Sequence, residues 1–301
     1  CSQGCNIDLH TRDNLVQRVK PRENLDVNAW WMCDYGRHDY EWLNQTGRIE
    51  APLVRTGGTS RASGWKDALT AILAKAADGA SVKAVASPFA SNEDLGALHR
   101  LVDALGGGEI VYRSARAAEE IPLKGFPTLA RRKDLAPNTT AASMMGMTRV
   151  GSDDATGGLE GVASHDGIVI VLGDALADQK PDFGAEAALY VYVGTHDTPA
   201  ATKADFVLPV TTHAEGEGTF TNLEGRVQRF WPALEAPGMA RPAWLVLGAL
   251  AADRDGNGGA RSAAEAFASL GGAVAGFRGI SYDDIGTRGA VVNESVSLTG
   301  D

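Results

Sequence analysis

The stretch IVIVL at residues 168–172 decides the fold, because it is five apolar residues in a row in an otherwise mixed sequence. A strand of a parallel sheet that is covered on both faces needs no alternation of polar and apolar side chains. The run therefore predicts a central strand of such a sheet. Apolar runs at residues 189–193 and residues 206–210 predict two more strands.

Residues 82–112 predict one strand–helix–strand unit upstream of these runs. Val82–Ala86 is apolar, Ser91 is placed to cap a helix over residues 92–105, and residues 110–112 are apolar again. Two strands joined by a helix pair in parallel through a right-handed crossover. The fold class is therefore α/β, with a doubly wound, mostly parallel sheet of about five strands.

The chain is expected to have three parts. Residues 1–50 form a small β-rich module, with a hairpin made by residues 6–10 and residues 15–20. Residues 51–235 form the α/β domain, and residues 236–301 form a C-terminal helical extension.

Finer predictions concern the less regular segments. Residues 115–151 predict irregular structure, and residues 218–231 alternate as a hairpin does. Helices are expected at residues 242–252 and residues 262–270. The aromatic residues of the first module are expected to be packing that shields a metal cluster or a small core, in preference to a ligand-binding box: Trp30, Trp31, Tyr35, Tyr40 and Trp42.

Composition excludes several classes of protein. The sequence is 44% hydrophobic and 22% charged, as in an ordinary globular protein with a substantial core. Its net charge of −10 argues against a nucleic-acid partner, because like charges repel the phosphate backbone. No run reaches the ~18–20 apolar residues that a membrane span needs, so direct membrane insertion is not expected.

Cys1, Cys5 and Cys33 are the only cysteines in the 301 residues. Their spacing, Cys-x3-Cys-x27-Cys, predicts a metal site that lacks its first ligand. Four thiolates hold a 4Fe-4S cluster, because each iron takes one outer sulfur ligand. The fourth cysteine is then expected just upstream of residue 1.

Other interpretations of the cysteines stay open. They are three reduced thiols without a metal, or a tetrahedral zinc site, since zinc accepts the same ligands. Disulfides fit poorly, because an odd number leaves one thiol unpaired. Gly4 beside Cys5 favours a ligand loop, because glycine lets the backbone approach closely.

A second candidate metal site is His213, Glu215 and Glu217, which follow a predicted strand. Gly216 and Gly218 separate these residues, so a solvent-facing turn is the preferred interpretation. The sequence has no Walker A motif, no His-Glu-x-x-His and no Gly-x-Ser-x-Gly. It therefore predicts no catalytic residues.

Several blocks together resemble the molybdopterin oxidoreductases, and within them the large G-type subunits of bacterial NADH:quinone oxidoreductase, respiratory complex I. The blocks are CSQGCN at residues 1–6, RVKPR at 18–22, VN at 27–28, CDYGR at 33–37, APLVR at 51–55, SGWKDAL at 63–69, ADFVLP at 204–209 and GTFTNLEGRVQ at 218–228. The resemblance implies that Cys1, Cys5 and Cys33 bind a 4Fe-4S cluster. It also implies that Tyr35 and the Trp30/Trp31 pair control solvent access to that cluster.

Departures from the molybdopterin enzymes imply that the molybdopterin is absent. Active members commonly have a lysine two residues after the last cluster cysteine, where this chain has Tyr35. They often supply a metal ligand from a later cysteine, and none follows Cys33. Residues 173–176 stand where many have a Gly-x-Asn-Pro turn, and the Gly173-Asp174 pair is interpreted as turn chemistry.

The resemblance thus implies a structural scaffold without a complete active site. It would carry one 4Fe-4S cluster that lies off the main path of electron transfer. Its partners would be other subunits of the peripheral arm of complex I, on the cytoplasmic side of the inner membrane. One alternative is a shortened molybdopterin-dependent oxidoreductase of the formate-dehydrogenase kind. Another is an assembly module without any cluster.

Overall fold

The computed structural model describes residues 1–173, residue 176 and residues 178–293. The strands are β1 Ile7–Arg12, β2 Leu15–Pro21, β3 Leu53–Thr56, β4 Thr59–Ala62, β5 Val82–Ala86, β6 Gly108–Tyr112, β7 Ile121–Leu123, β8 Phe126–Arg131, β9 Thr148–Arg149, β10 Ile168–Leu172, β11 Leu189–Gly194, β12 Phe206–Pro209, β13 Gly218–Thr221, β14 Arg226–Phe230 and β15 Ala290–Val291. The α-helices are α1 Asp34–His38, α2 Trp65–Lys75, α3 Asn92–Ala104, α4 Thr139–Met144, α5 Glu160–Ala163, α6 Ala243–Asp255, α7 Ala263–Ala273 and α8 Tyr282–Ile285. Short 3-10 helices are Glu41–Asn44, Pro199–Lys203 and Ala275–Phe277.

The main sheet has eight strands in the order β4-β3-β12-β11-β10-β5-β6-β9. The six strands from β12 to β9 are parallel, and β3 pairs antiparallel with β12. The α/β fold class is confirmed, and all five predicted strands form. The three additional strands are β3, β4 and β9, which are too short and too exposed to leave an apolar run in the sequence.

Strand β10 separates the two hydrophobic layers of the domain. Its five residues are all buried. Ile168 and Ile170 pack into the core that contains α2, α3 and α6, whereas Val169 and Val171 face the smaller core beneath α5. Full burial of each such side chain contributes about 1.5–3 kcal/mol. This two-sided burial is the physical reason for the unbroken apolar run.

Helices α6 and α7 form close to the predicted positions and pack onto the sheet domain. Trp244, Leu247 and Leu250 of α6 and Phe267 of α7 lie in the same core as β10. Asp94 joins α6 to α3, because its Oδ1 accepts the Trp244 backbone N–H at 2.7 Å. The same carboxylate accepts the Ser91 N–H at 3.0 Å and completes the capping box of α3. The predicted Ser91 cap is therefore confirmed.

The prediction of irregular structure for residues 115–151 was wrong in part. The segment contains the β7–β8 hairpin, helix α4 and strand β9. Asn138, just before α4, accepts the Thr221 N–H at 2.8 Å and donates to the Ala90 carbonyl at 2.8 Å. Such short elements depend on contacts far along the chain, so local periodicity does not reveal them.

The N-terminal hairpin and the second hairpin both form. β1 and β2 pair antiparallel across Asp13 and Asn14, whose φ angles are 54° and 57°. Both residue types tolerate this left-handed backbone. β13 and β14 pair in the same way, and β15 adds a third strand to them from far along the chain. In the described part of the chain, no helix is both long and apolar enough to cross a membrane.

The segment before β15 holds the N-terminal module. The Asn6 side chain donates to the Thr287 carbonyl at 3.3 Å, and the Asn24 side chain donates to the Arg288 carbonyl at 3.0 Å. The first and last described parts of the chain are thus joined directly.

Candidate functional site

The three cysteines lie on two segments of the N-terminal module. Cys1 and Cys5 flank a tight turn before β1, and Cys33 is the N-cap residue of α1. All three are free thiols, neither fully buried nor fully exposed. Between the first two, Ser2 and Gln3 are almost completely buried, so the loop is part of the packed structure.

Electrostatic effects link the three cysteines. Burial, and secondly the neighbouring Cys33, raise the pKa of the Cys5 thiol to about 11. Burial lowers the pKa of the Cys1 amino group, while Cys5 and Cys33 act to raise it. Because charges interact this strongly only at short range, the three residues share one partly buried neighbourhood.

The thiols of Cys1, Cys5 and Cys33 fit part of the ligand set of an iron-sulfur cluster. Across the described residues, no three His, Cys, Asp or Glu side chains are arranged to hold a single metal ion. Ligands of a 4Fe-4S cluster bind different irons, so they stand farther apart than the ligands of one ion. Three neighbouring, partly buried cysteines suit such a cluster, which binds them as thiolates.

Hydrogen bonds from hairpin β13–β14 clamp the cysteine loop, which is the segment at residues 1–5 that carries Cys1 and Cys5. The Gln228 side chain donates to the Gly4 carbonyl and to Asn6 Oδ1, both at 2.7 Å. The Leu223 N–H donates to the Ser2 carbonyl at 2.8 Å. Two of the most distinctive sequence blocks therefore contact each other across more than two hundred residues of chain.

Gly4 is the tightest point of this clamp. Its φ is +67°, and a Cβ placed on it would lie 2.6 Å from Gln228 Oε1 and 2.7 Å from Asn222 Cβ. Gly4→Ala should therefore lower the free energy of unfolding by roughly 2–4 kcal/mol, from backbone strain and overpacking. Urea denaturation measures this loss. Gly47→Ala is the matched control, because Gly47 also has a positive φ, of +88°, but has nothing within 4 Å.

The control should lose only the cost of the left-handed backbone, about 1–2 kcal/mol. Equal losses in the two variants would show that the clamp exerts no steric constraint at Gly4.

Buried asparagines position the segment that leads to Cys33. Asn28 accepts the Asn6 N–H at 2.9 Å and donates to the Trp31 carbonyl at 3.0 Å. Asn24 donates to Asn6 Oδ1 at 2.8 Å. Sequence reasoning assigned these residues no structural role, because isolated asparagines are usually turn formers and carry no periodic signal.

Trp30 and Trp31 lie outside the hydrophobic core of the module. Their side chains are 57% and 46% exposed, and Trp31 stacks on Phe126 with ring centroids 4.7 Å apart. Aliphatic side chains fill the core instead: Val16, Val19, Met32 and Leu43. Tyr35 is partly buried, and this burial, with Asp39, raises the pKa of its hydroxyl.

His213, Glu215 and Glu217 do not form a metal site, and their turn is partly buried, with the Glu215 side chain 4% and the Glu217 side chain 34% exposed. Glu215 pairs with Arg48, with one contact at 2.8 Å, and Glu217 pairs with Arg229. The His213 ring packs against Trp42 and two phenylalanines. Burial lowers the pKa of His213 to about 4, although Glu215 acts to raise it. The imidazole is therefore neutral at physiological pH.

A cavity of about 680 Å³ lies at the carboxyl edge of the main sheet. It is lined by the residues that follow four parallel strands: Ser87 after β5, Gly173 after β10, Thr195 at the β11 end and Val210 after β12. Tyr35 also lines it, so the cavity extends to the cysteine module. Open α/β sheets place ligands at this edge. Asp174, the other half of the predicted turn, lies outside the described residues.

Two models of known protein families match parts of this chain. The family model for the NADH-ubiquinone oxidoreductase NDSU1/NuoG-like 4Fe-4S domain matches residues 2–41, and the model for molybdopterin oxidoreductase matches residues 133–253. The mitochondrial NADH-ubiquinone oxidoreductase 78 kDa subunit of Candida albicans is 25% identical, covering 82% of this chain and 50% of the relative.

Two shorter similarities concern other proteins. The G-type subunit of the NADH-quinone oxidoreductase of Pseudomonas putida is 36% identical over 122 residues, covering 40% of this chain and 12% of the relative. The F420-dependent formate dehydrogenase 2 subunit alpha of Methanococcus maripaludis is 41% identical over 95 residues, covering 31% of this chain and 14% of the relative. The chain thus spans at most about half of the length of these relatives.

Proposed function

We propose that this chain, which carries a NuoG-like 4Fe-4S domain and a molybdopterin oxidoreductase domain, is the scaffold part of a G-type subunit of NADH:quinone oxidoreductase. Cys1, Cys5 and Cys33 would hold one 4Fe-4S cluster, with the fourth thiolate supplied from upstream of residue 1. The clamp between the cysteine loop and β13–β14 carries the proposal, because it joins the two matched domains into one packed unit.

The cluster would supply one-electron chemistry, and the role of the chain would be mainly structural. We place the cluster off the main electron path and assign no catalytic residue to this chain. Its partners would be other subunits of the peripheral arm, on the cytoplasmic side of the inner membrane. The names of the relatives that match most of the chain support its place in an NADH-quinone or NADH-ubiquinone oxidoreductase.

The chemistry of the cavity supports the absence of molybdopterin. Pterin cofactors carry phosphate, which proteins commonly bind with helix N-termini and cationic side chains. Here the N-termini of α3 and α6 are both occupied by Asp94. Among the described lining residues, none is Lys or Arg. A phosphate in this cavity would meet carboxylates instead.

Elemental analysis of the natural protein, purified without oxygen, tests this function. The expected result is iron and acid-labile sulfide at the ratio of one cluster per chain in this domain, with no molybdenum or tungsten. A stoichiometric amount of molybdenum or tungsten would favour the second candidate, a formate-dehydrogenase-like enzyme, which the similarity to the Methanococcus subunit supports. Absence of iron would favour an assembly module.

A further inference from the structure

The chain that follows strand β8 makes a second set of contacts with the cysteine loop. Arg132, the residue directly after β8, donates its Nε–H to Gln3 Oε1 at 2.7 Å. Gln3 belongs to the loop and is only 3% exposed. Nearby, the Ser2 N–H donates to the Asp134 carbonyl at 3.0 Å. The loop is therefore held by this segment as well as by the clamp from β13–β14.

The same contacts extend to the segment that carries the third cysteine. Gln3 Nε2 donates to the Val27 carbonyl at 3.4 Å, so this buried amide connects the cysteine loop to the chain that leads to Cys33. Phe126 of β8 stacks on Trp31, two residues before Cys33. Hairpin β7–β8 and the residues after it thus contact both cysteine segments.

Arg132 brings a positive charge to this neighbourhood. Its side chain is 18% exposed, so water screens the guanidinium only in part, and it pairs at 3.1 Å with the more exposed Glu120. Burial raises the pKa of the Cys5 thiol to about 11, and the charge of Arg132 is among the effects that oppose this rise. The positive charge therefore acts on the cysteines themselves.

A nearby positive charge has a defined effect on an iron-sulfur cluster. With four thiolate ligands a 4Fe-4S cluster is an anion in both of its redox states, and its potential depends on the surrounding charge. Reduction adds one electron and forms or breaks no bond to the protein. Because the reduced cluster carries one more negative charge, a fixed cation stabilises it more than the oxidised cluster and raises the reduction potential.

We propose that Arg132 is a positioning residue of the cluster site, which fixes the Gln3 amide and raises the reduction potential of the cluster with its positive charge. This inference depends on the proposed function, because it requires that Cys1, Cys5 and Cys33 hold the cluster. It goes further by assigning a role to a residue outside the N-terminal module.

Redox titration of the natural protein with dithionite as the electron donor, followed by electron paramagnetic resonance, tests this role. The signal of this cluster is the one that Cys33→Ser removes. Arg132→Gln keeps a hydrogen-bond donor but removes the charge. It should disfavour reduction roughly tenfold, which lowers the midpoint potential by about 59 mV for one electron. Arg132→Lys keeps the charge, so its potential should stay close to that of the wild type.

Glu120→Gln separates the effect of charge from that of structure. This variant breaks the same ion pair as Arg132→Gln but removes a negative charge, so the potential should rise. Structural damage from the lost ion pair would shift the potential of both variants in the same direction. Arg61→Gln, in the exposed edge strand β4, controls for the net charge of the protein and should leave the potential unchanged.

An unchanged or raised potential in Arg132→Gln would overturn the proposal, and so would an unchanged or lowered potential in Glu120→Gln. If Arg132→Gln does not retain the cluster, Glu120→Gln and Arg132→Lys decide the question by their potentials. Iron analysis of the wild type separates this failure from that of the proposed function, since a protein without iron would reject the cluster itself.

Discussion

Replacement of Cys33 with serine is expected to abolish the 4Fe-4S cluster of this domain. Thiolate is the ligand that iron-sulfide prefers, and a serine hydroxyl at this position would not be deprotonated at neutral pH. Iron and acid-labile sulfide should fall by a full cluster relative to the wild type. The matching visible absorption should disappear as well. The measurement is made on the natural protein, including any residues that precede Cys1.

Asp34→Asn is the control for this experiment. Asp34 is the next residue in the chain, but its side chain is 90% exposed and, among the described residues, makes a surface contact with Arg37 at 3.7 Å. Its replacement should leave the iron content unchanged. Circular dichroism of both variants reports whether the fold is retained. Full iron loading in the Cys33 variant would show that the cluster ligands lie elsewhere.

Replacement of Glu93 with alanine is expected to cause the largest loss of stability. Glu93 is 1% exposed and accepts three hydrogen bonds: from the Thr219 N–H and the Thr219 hydroxyl, both at 2.8 Å, and from the Tyr282 hydroxyl at 2.7 Å. Alanine would leave these donors buried without an acceptor and create a cavity. The expected cost is roughly 3–5 kcal/mol, a large part of the total stability of a typical domain.

Urea denaturation at about pH 5 measures this cost, with Glu160→Ala as the control. Glu160 is exposed at the start of α5, so its replacement should change stability by less than about 0.5 kcal/mol. A similar small change for Glu93→Ala would show that the network around Thr219 does not stabilise the fold.

The stability contributed by Glu93 should also depend on pH. Burial raises the pKa of Glu93 from 4.5 to about 7, although hydrogen bonds from Tyr282 and Thr219 oppose the shift. Between these values the folded state retains a proton that the unfolded state has lost, so stability falls as pH rises from 4.5 to about 7. The loss across this window is about 3 kcal/mol.

Glu93→Gln removes the titrating group while keeping most of the volume. The difference in unfolding free energy between wild type and this variant should therefore change across the window and become constant above it. A difference that stays constant from pH 4.5 to 7 would contradict the raised pKa.

A strand can be predicted from this sequence when burial of its own side chains determines its composition. Residues 168–172 are buried on both faces, so their composition alone predicts a central strand. The two residues of β9 pair with β6, whose own position depends on the crossover through α3. No local pattern specifies a strand of this kind, because its hydrogen bonds come from a partner placed by the rest of the fold.

Some parts of the candidate site can likewise be predicted from the sequence, and others cannot. The three cysteines can be recognised in the sequence, because their chemistry is distinctive and no other cysteine occurs in it. The contacts of Gln228 with Gly4 and Asn6 are not, since more than two hundred residues separate the partners. For Glu215 and Glu217 the sequence shows neighbouring carboxylates, but their partners Arg48 and Arg229 lie in different elements.

The joining of Thr287 and Arg288 to the first module has a consequence for biosynthesis. The ribosome synthesises the cysteines more than 250 residues before the segment that secures them. The module therefore cannot reach its final packing until residues 287–288 have left the ribosome. We expect stable cofactor insertion to follow the synthesis of this segment, so that a shorter nascent chain depends on whatever protects its thiols until then.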